Sequence, residues 1–179
     1  PAGNPAMTYM VNHPQYPFAV MIGYLPNGGP PFEVWVNGFQ APRGQGAQAK
    51  LLSGAMRLSD PWWVLFTLRQ LLVVVGDAFD LKMPPSGSTV RVPSSTAALA
   101  KILLYQYEQL GVTGDQPNSA MFKALISTEE PRLGSNGTMS WTVDIGNPNT
   151  DERFTLFVKE CEIKGLGVRP YAVCMSGEY

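Results

Sequence analysis

Residues Phe32, Val34 and Val36 alternate with Glu33, Trp35 and Asn37. That is a period of two with one polar-edged face, the pattern of a half-buried strand. Upstream, Phe18–Tyr24 is apolar on both faces, as in a strand covered on both sides. Pro26, Asn27, Gly28, Gly29, Pro30 and Pro31 lie between the two runs. Asn-Gly tolerates positive φ and the prolines stop either strand from continuing, so the pattern predicts a hairpin over 17–38. The helices that follow have apolar faces in need of a sheet, and this hairpin is the nearest one.

Beyond it the period lengthens. Ala47–Leu58 places Leu51, Leu52, Ala55 and Met56 on one face, with Lys50 and Arg57 off it, which predicts a helix. Asp60 is a good N-cap and Pro61 suits a first helical position. The segment Pro61–Val75 is apolar nearly all round, which predicts a helix in the middle of the core, ended by Gly76-Asp77. Its longest apolar run, Trp62–Val75, is broken by Thr67, Arg69 and Gln70 and is shorter than the ~20 residues of a membrane span. Ser94 or Ser95 caps a third helix, Thr96–Leu110. There Leu99, Ile102, Leu103, Tyr107 and Leu110 form one stripe, and Gly111 closes it. Asp115–Ser119 reads as a connection and Ala120–Ile126 as a short helix.

Ala78–Val92 is punctuated by Pro and Gly, with a short strand at Val90–Val92. From Thr138 the texture becomes β-rich. Met139–Ile145 and Arg153–Ile163 flank the turn residues Gly146 to Asp151, and Phe154, Leu156 and Val158 share a face. A last strand is expected at Pro170–Met175. The fold class is therefore α+β: antiparallel β-hairpins packed against two or three helices, with a β-rich C-terminal part. Residues 1–15 read as an arm, 16–115 as an α+β domain and 116–179 as a β-rich segment. Phe18-Ala19-Val20 and Tyr171-Ala172-Val173 each follow a proline; a chance match of a short pattern is one reading, and the start of a second copy of the opening hairpin is the other. With Pro1 in place of an initiator Met, the latter predicts a segment of a longer polypeptide.

Composition narrows the chemistry. Of the 179 residues 45% are hydrophobic and 15% charged, which allows a buried core. A net charge of −1 argues against nucleic-acid binding through bulk electrostatics. Cys161 and Cys174 are too far apart for a CxxC site, which fits a reducing compartment such as cytoplasm. His13 is the only histidine, so a His-centred metal site or catalytic triad is not expected. Both cysteines read as small buried hydrophobes in strands. Trp35, Trp62, Trp63 and Trp141 read as core residues, because Lys and Arg do not cluster around them. The adjacent carboxylates Glu129-Glu130 and Asp151-Glu152 point apart rather than converge. They read as solvated loops, and the Asn136-Gly137-Thr138 sequon reads as chance. One stretch is a candidate site. Arg43, Gly44, Gly46 and Lys50 belong to a Gly-rich loop entering a helix, which could present N–H groups and positive charge to an anion or a partner. A plain strand-to-helix connection is the alternative reading.

Several stretches in order carry a family resemblance. They are Tyr16–Gly28, Pro31–Gly38, Pro42-Arg43-Gly44, Ala49–Asp60 with Met56-Arg57, and Val92-Pro93-Ser94 leading into 96–111. Glu129–Arg132, Met139–Asp144, Asn147-Pro148, Glu152–Phe154 and Arg169–Val173 continue the series. Together they resemble the TSCPD-type domain of adenosylcobalamin-dependent (class II) ribonucleotide reductases, and more closely the small companion polypeptide of split class II reductases. The Thr-Ser-Cys-Pro-Asp string that names the domain is absent, as is the catalytic barrel, so the resemblance carries over no catalytic, cofactor-binding or metal residue. It implies a non-catalytic accessory domain in deoxyribonucleotide synthesis, with a reductase catalytic subunit as protein partner. Adenosylcobalamin would then act only through that partner. The alternative is a structural protein, a phage virion component reusing the domain, in contact with neighbouring virion proteins. Neither reading involves nucleic acid or a membrane. An independent small enzyme is the reading these residues favour least.

Overall fold

The computed structural model describes residues 3–38, 41–42, 44–58, 60–112, 140–150, 152–163, 165 and 167–177. The chain divides into two compact units, Pro1–Pro117 and Asn118–Tyr179. Among the described residues the architecture is mixed α+β, with three antiparallel sheets, three helices and a β-rich C-terminal part. The expected connection and helix over 115–126 lie outside the described residues.

In the first unit β1 (Ala6–Val11), β2 (Phe18–Gly23) and β3 (Glu33–Asn37) form one sheet with β2 central. The hairpin is present as its pattern predicts: Val20 faces Val36 and Ile22 faces Val34 in antiparallel register. Gly28 (φ 80°) and Gly29 (φ 109°) turn the chain in a backbone region that glycine enters without a Cβ clash. The expected arm over 1–15 is corrected by β1, which pairs with β2 along its whole length, Ala6 opposite Gly23 to Val11 opposite Phe18. Its signal in the sequence is weak because only Val11 is buried. The strand is held by its ladder and by the Tyr9 hydroxyl, which donates to Gln106 Oε1 at 2.6 Å.

Helix α1 (Gln45–Arg57) lies beside β3. Its buried stripe is Gln45, Ala49, Leu52, Ser53 and Met56. Leu51, expected on that face, is 76% exposed. The true stripe includes two polar residues, which shifts it one position from the apolar count. Helix α2 (Pro61–Leu71) is capped by Asp60, whose Oδ1 accepts from the Trp62 and Trp63 amides at 3.1 and 3.3 Å. It stops before the expected Val75. Val73–Val75 are three β-branched residues with restricted χ1 in a helix, and they leave it exposed. The segment docks instead on the start of the next helix: Ser94 Oγ donates to the Val74 carbonyl at 2.6 Å, and Gly76 N–H to Pro93 O at 3.0 Å.

Strands β4 (Phe79–Met83) and β5 (Ser88–Val92) form a two-stranded ladder between α2 and α3 (Ser95–Gln109) in the chain. Only the second was expected. In β4 Phe79 and Leu81 are buried while Asp80 and Lys82 are exposed, a true alternation but a short one. Ser94 caps α3, its Oγ accepting from Ala97 N–H at 3.1 Å. The other end closes with Gly111 N–H on Glu108 O and Val112 N–H on Tyr107 O, a Schellman pair. Leu99, Ile102, Leu103 and Tyr107 are buried to 1% exposure or less, and Leu110, at the cap, is 43% exposed. They share one core with Phe18, Val20 and Ile22 of β2 and with Val64, Leu65 and Leu68 of α2.

The second unit contains β6 (Ser140–Gly146), β7 (Arg153–Ile163) and β8 (Gly167–Gly177), antiparallel with β7 central. Phe154, Leu156 and Val158 of β7 share a face with Ile145, Val143 and Trp141 of β6, directly opposite them. Among the described residues of this unit, no apolar side chain is fully buried. The echo between the chain's beginning and end joins strands in different roles here: β2 is central and buried, β8 is an edge strand and exposed. Among the described residues no helix is long and apolar enough to cross a membrane.

Candidate functional site

The candidate loop starts α1. Arg43 lies outside the described residues. Gly44 is the N-cap, at φ 86°, and no side chain caps the helix. A positive φ of this kind suits glycine rather than any residue bearing a Cβ. Gly46, in the first turn, and Lys50 border a groove of about 420 Å³ between β3 and α1. Val34, Trp35 and Val36 form one wall, and Gly46, Ala49, Lys50, Ser53 and Arg57 the other. The structure thus joins two members of the loop to residues that sequence spacing could not associate with it.

The groove is built on an edge strand. The outward N–H and C=O of Val34 would otherwise lack partners. Ser53 Oγ accepts from Val34 N–H and lies 3.0 Å from both it and Val34 O, and also 2.8 Å from Ala49 O. This polar clasp fixes α1 against β3 and explains a buried serine in the helix stripe. Lys50 and Arg57 stand seven residues apart, two helical turns, so both belong to the same side of α1. Arg57 is committed: its Nη2 pairs with Glu33 Oε2 at 3.2 Å, and its guanidinium stands 4.9 Å from the Phe32 ring centroid. Lys50 is exposed and makes no ion pair with the described residues. Trp35 is 60% exposed. That corrects the expectation of a core tryptophan, because its strand position faces away from Val34 and the core. Trp141 is likewise exposed, at 68%, whereas Trp62 is buried and Trp63 half-buried.

A second cluster was not foreseen. His13 is buried at 5% exposure, stacked on Tyr16 with ring centroids 3.6 Å apart and set edge-on to Phe79. Its Nδ1 accepts from the Gln15 and Tyr16 amides at 3.2 and 3.4 Å, which leaves the proton of the neutral ring on Nε2. Nε2 is buried, with no partner at hydrogen-bond geometry among the described residues. Burial lowers the His13 pKa, while the nearby Asp77 charge and backbone pull it partly back. Tyr16 Oη donates to Asp77 Oδ2 at 3.2 Å, and burial and Asp77 together raise the tyrosine pKa. A cleft of about 240 Å³ lies between His13–Gln15 and Asp77–Phe79. The only signal in the sequence was the lone histidine, and a reading of residues 1–15 as an arm hid it.

Burial pushes Tyr24 up to about 12 and Tyr107 further still, so both hydroxyls stay protonated at neutral pH. Cys174 is a free, exposed thiol, contrary to its expected burial, because β8 is an edge strand. The Cys161 side chain, Glu129-Glu130, Asp151 and the sequon at 136–138 lie outside the described residues. Glu152 is exposed. Among the described residues no group of three or more His, Cys, Asp or Glu side chains is placed to hold a metal ion.

Scans against family models, curated proteins and solved structures return no match to this chain.

Proposed function

We propose that the chain is a non-catalytic accessory domain of a class II ribonucleotide reductase system, acting in the cytoplasm by contact with the catalytic subunit. The groove between β3 and α1 carries this reading. All of its lining but Gly46 falls within Pro31–Gly38 and Ala49–Asp60, two of the stretches that resemble the TSCPD-type domain. It offers what a protein contact uses: an exposed Trp35, the exposed Lys50, and a floor fixed by the Ser53 clasp. Gly44, Gly46 and Lys50, with Arg43 before them, would serve as its partner-contact rim. Adenosylcobalamin would belong to the partner.

The test is deoxyribonucleotide formation with adenosylcobalamin and a dithiol, using this chain alone and with a class II catalytic subunit. The chain alone gives no turnover, and adding it changes the turnover of the catalytic subunit. Trp35→Ala weakens that association about 30-fold, the effect of losing an interface anchor of about 2 kcal/mol. Turnover by the chain alone, abolished by Cys161→Ser or Cys174→Ser, overturns the proposal. The second reading, a phage virion component, is favoured by the exposed apolar face of the β6–β8 sheet, which suits a contact between copies. An absence of any effect on reductase partners moves the weight to it.

A further inference from the structure

We propose that the apolar face of the β6–β7–β8 sheet is a self-association surface, covered in solution by the same face of a second copy of this chain. Antiparallel register stacks Val143, Leu156 and Met175 in one row across the sheet and Trp141, Val158 and Val173 in the next. Successive residues of a strand point to opposite faces, so both rows lie on one side. Trp141, Val143, Val173 and Met175 are 68, 51, 65 and 62% exposed. The intervening rows, Thr142–Phe157–Cys174 and Asp144–Thr155–Ser176, form the other, more polar side.

Covering an apolar sheet face removes it from water and stabilises the sheet, and nothing in the described part of this unit supplies a cover. Charge and area both favour a second copy as the occupant. The two rows contain no charged residue, so they meet no like charge when they meet their own copies, as a two-fold interface requires. Glu160, on this side, sits at the margin beyond the two rows and accepts from Trp141 Nε1 at 3.0 Å, where it forms a polar rim. Three strands of this length, about 4.8 Å apart, give a face whose pairing removes on the order of 1,000 Å² of accessible surface, the lower bound of a specific contact. Sheets packed in this way lie about 10 Å apart with strands near −30°. This contact does not depend on which reading of the groove holds.

The test is sedimentation equilibrium of the full chain, with circular dichroism as a check on folding. The wild type sediments at twice the 19.5 kDa chain mass. Val143→Lys and Met175→Lys, at positions already exposed in the single sheet, each bring it to the single mass with the spectrum kept. Thr142→Lys, on the opposite side, leaves the dimer intact. A wild type at single mass overturns the proposal, whichever of two causes is found. Blue-shifted Trp141 emission would assign the cover to the chain's own residues, and red-shifted emission with dye binding would leave the face to a different protein. A dimer that persists in both lysine variants also overturns it, by placing the contact elsewhere.

Discussion

β2 and β7 are each the central strand of a three-stranded antiparallel sheet, and each presents three apolar residues to one side. Phe18, Val20 and Ile22 of β2 are buried to 1% exposure or less, whereas Phe154, Leu156 and Val158 of β7 stay only partly covered. The residues are equivalent in kind; what differs is the cover. In the first unit α2 and α3 contribute Leu68, Leu99 and Leu103 to the core that β2 shares. The described part of the second unit holds strands alone. Alternation along a strand records a face that wants burial, but not whether the same chain provides it.

The largest expected effect separates the two cores directly. Leu103→Ala removes a side chain that is fully buried among rigid neighbours, and costs the first unit about 2–5 kcal/mol in chemical denaturation. Leu156→Ala in β7 costs less than that in dilute solution, and its cost grows with protein concentration. Equal, concentration-independent losses would remove the distinction between the units. Next in size is Ser53→Ala. It leaves the Val34 N–H and C=O facing a methyl group, a loss of about 1–3 kcal/mol, and loosens the groove between β3 and α1. Amide exchange at Val34 rises while that at β2 stays slow. If Val34 exchange is unchanged, the clasp does not hold the edge.

The smallest effect is set by pH. His13 has a folded pKa below its ordinary value of 6.5, chiefly through burial. Well above 6.5 the ring is neutral in both folded and unfolded chains and contributes no pH dependence. As pH falls below that value, the unfolded chain takes up the proton first and the first unit loses stability until the folded pKa is reached. Thermal denaturation of the wild type should show this decline, and His13→Gln should flatten it. A variant with the same slope would assign the decline to other groups.

Much of the fold was legible in the residues. The 17–38 hairpin, the Asp60 and Ser94 caps and the α3 stripe each combine a period with a punctuation residue, so local and tertiary preferences agree. The misreadings have physical causes. β1 is an edge strand with one buried side chain, so period two never develops. The α1 stripe includes Gln45 and Ser53, polar residues buried for their position, and Ser53 serves as a clasp rather than as packing. Val73–Val75 look like core by composition, yet they are exposed once β-branching ends the helix at Leu71. Of the site, Gly44, Gly46 and Lys50 could be picked out as a loop at a helix start. That Lys50 and Arg57 share a groove with Trp35 could not, because pairing α1 with the β3 edge is a tertiary fact. His13 escaped for the same reason: Tyr16, Asp77 and Phe79 meet it only in the folded unit.

The central claim is that the first unit completes its own core and the β6–β8 sheet completes its core on a second copy. Amide hydrogen exchange measured on β2 and β7 at several protein concentrations tests this most directly. Protection at Val20 and Ile22 should be high and independent of concentration, as expected when exchange needs unfolding of the whole unit. Protection at Leu156 and Val158 should rise with concentration and be lost in Val143→Lys. β7 amides as protected as those of β2 at the highest dilution would contradict the account.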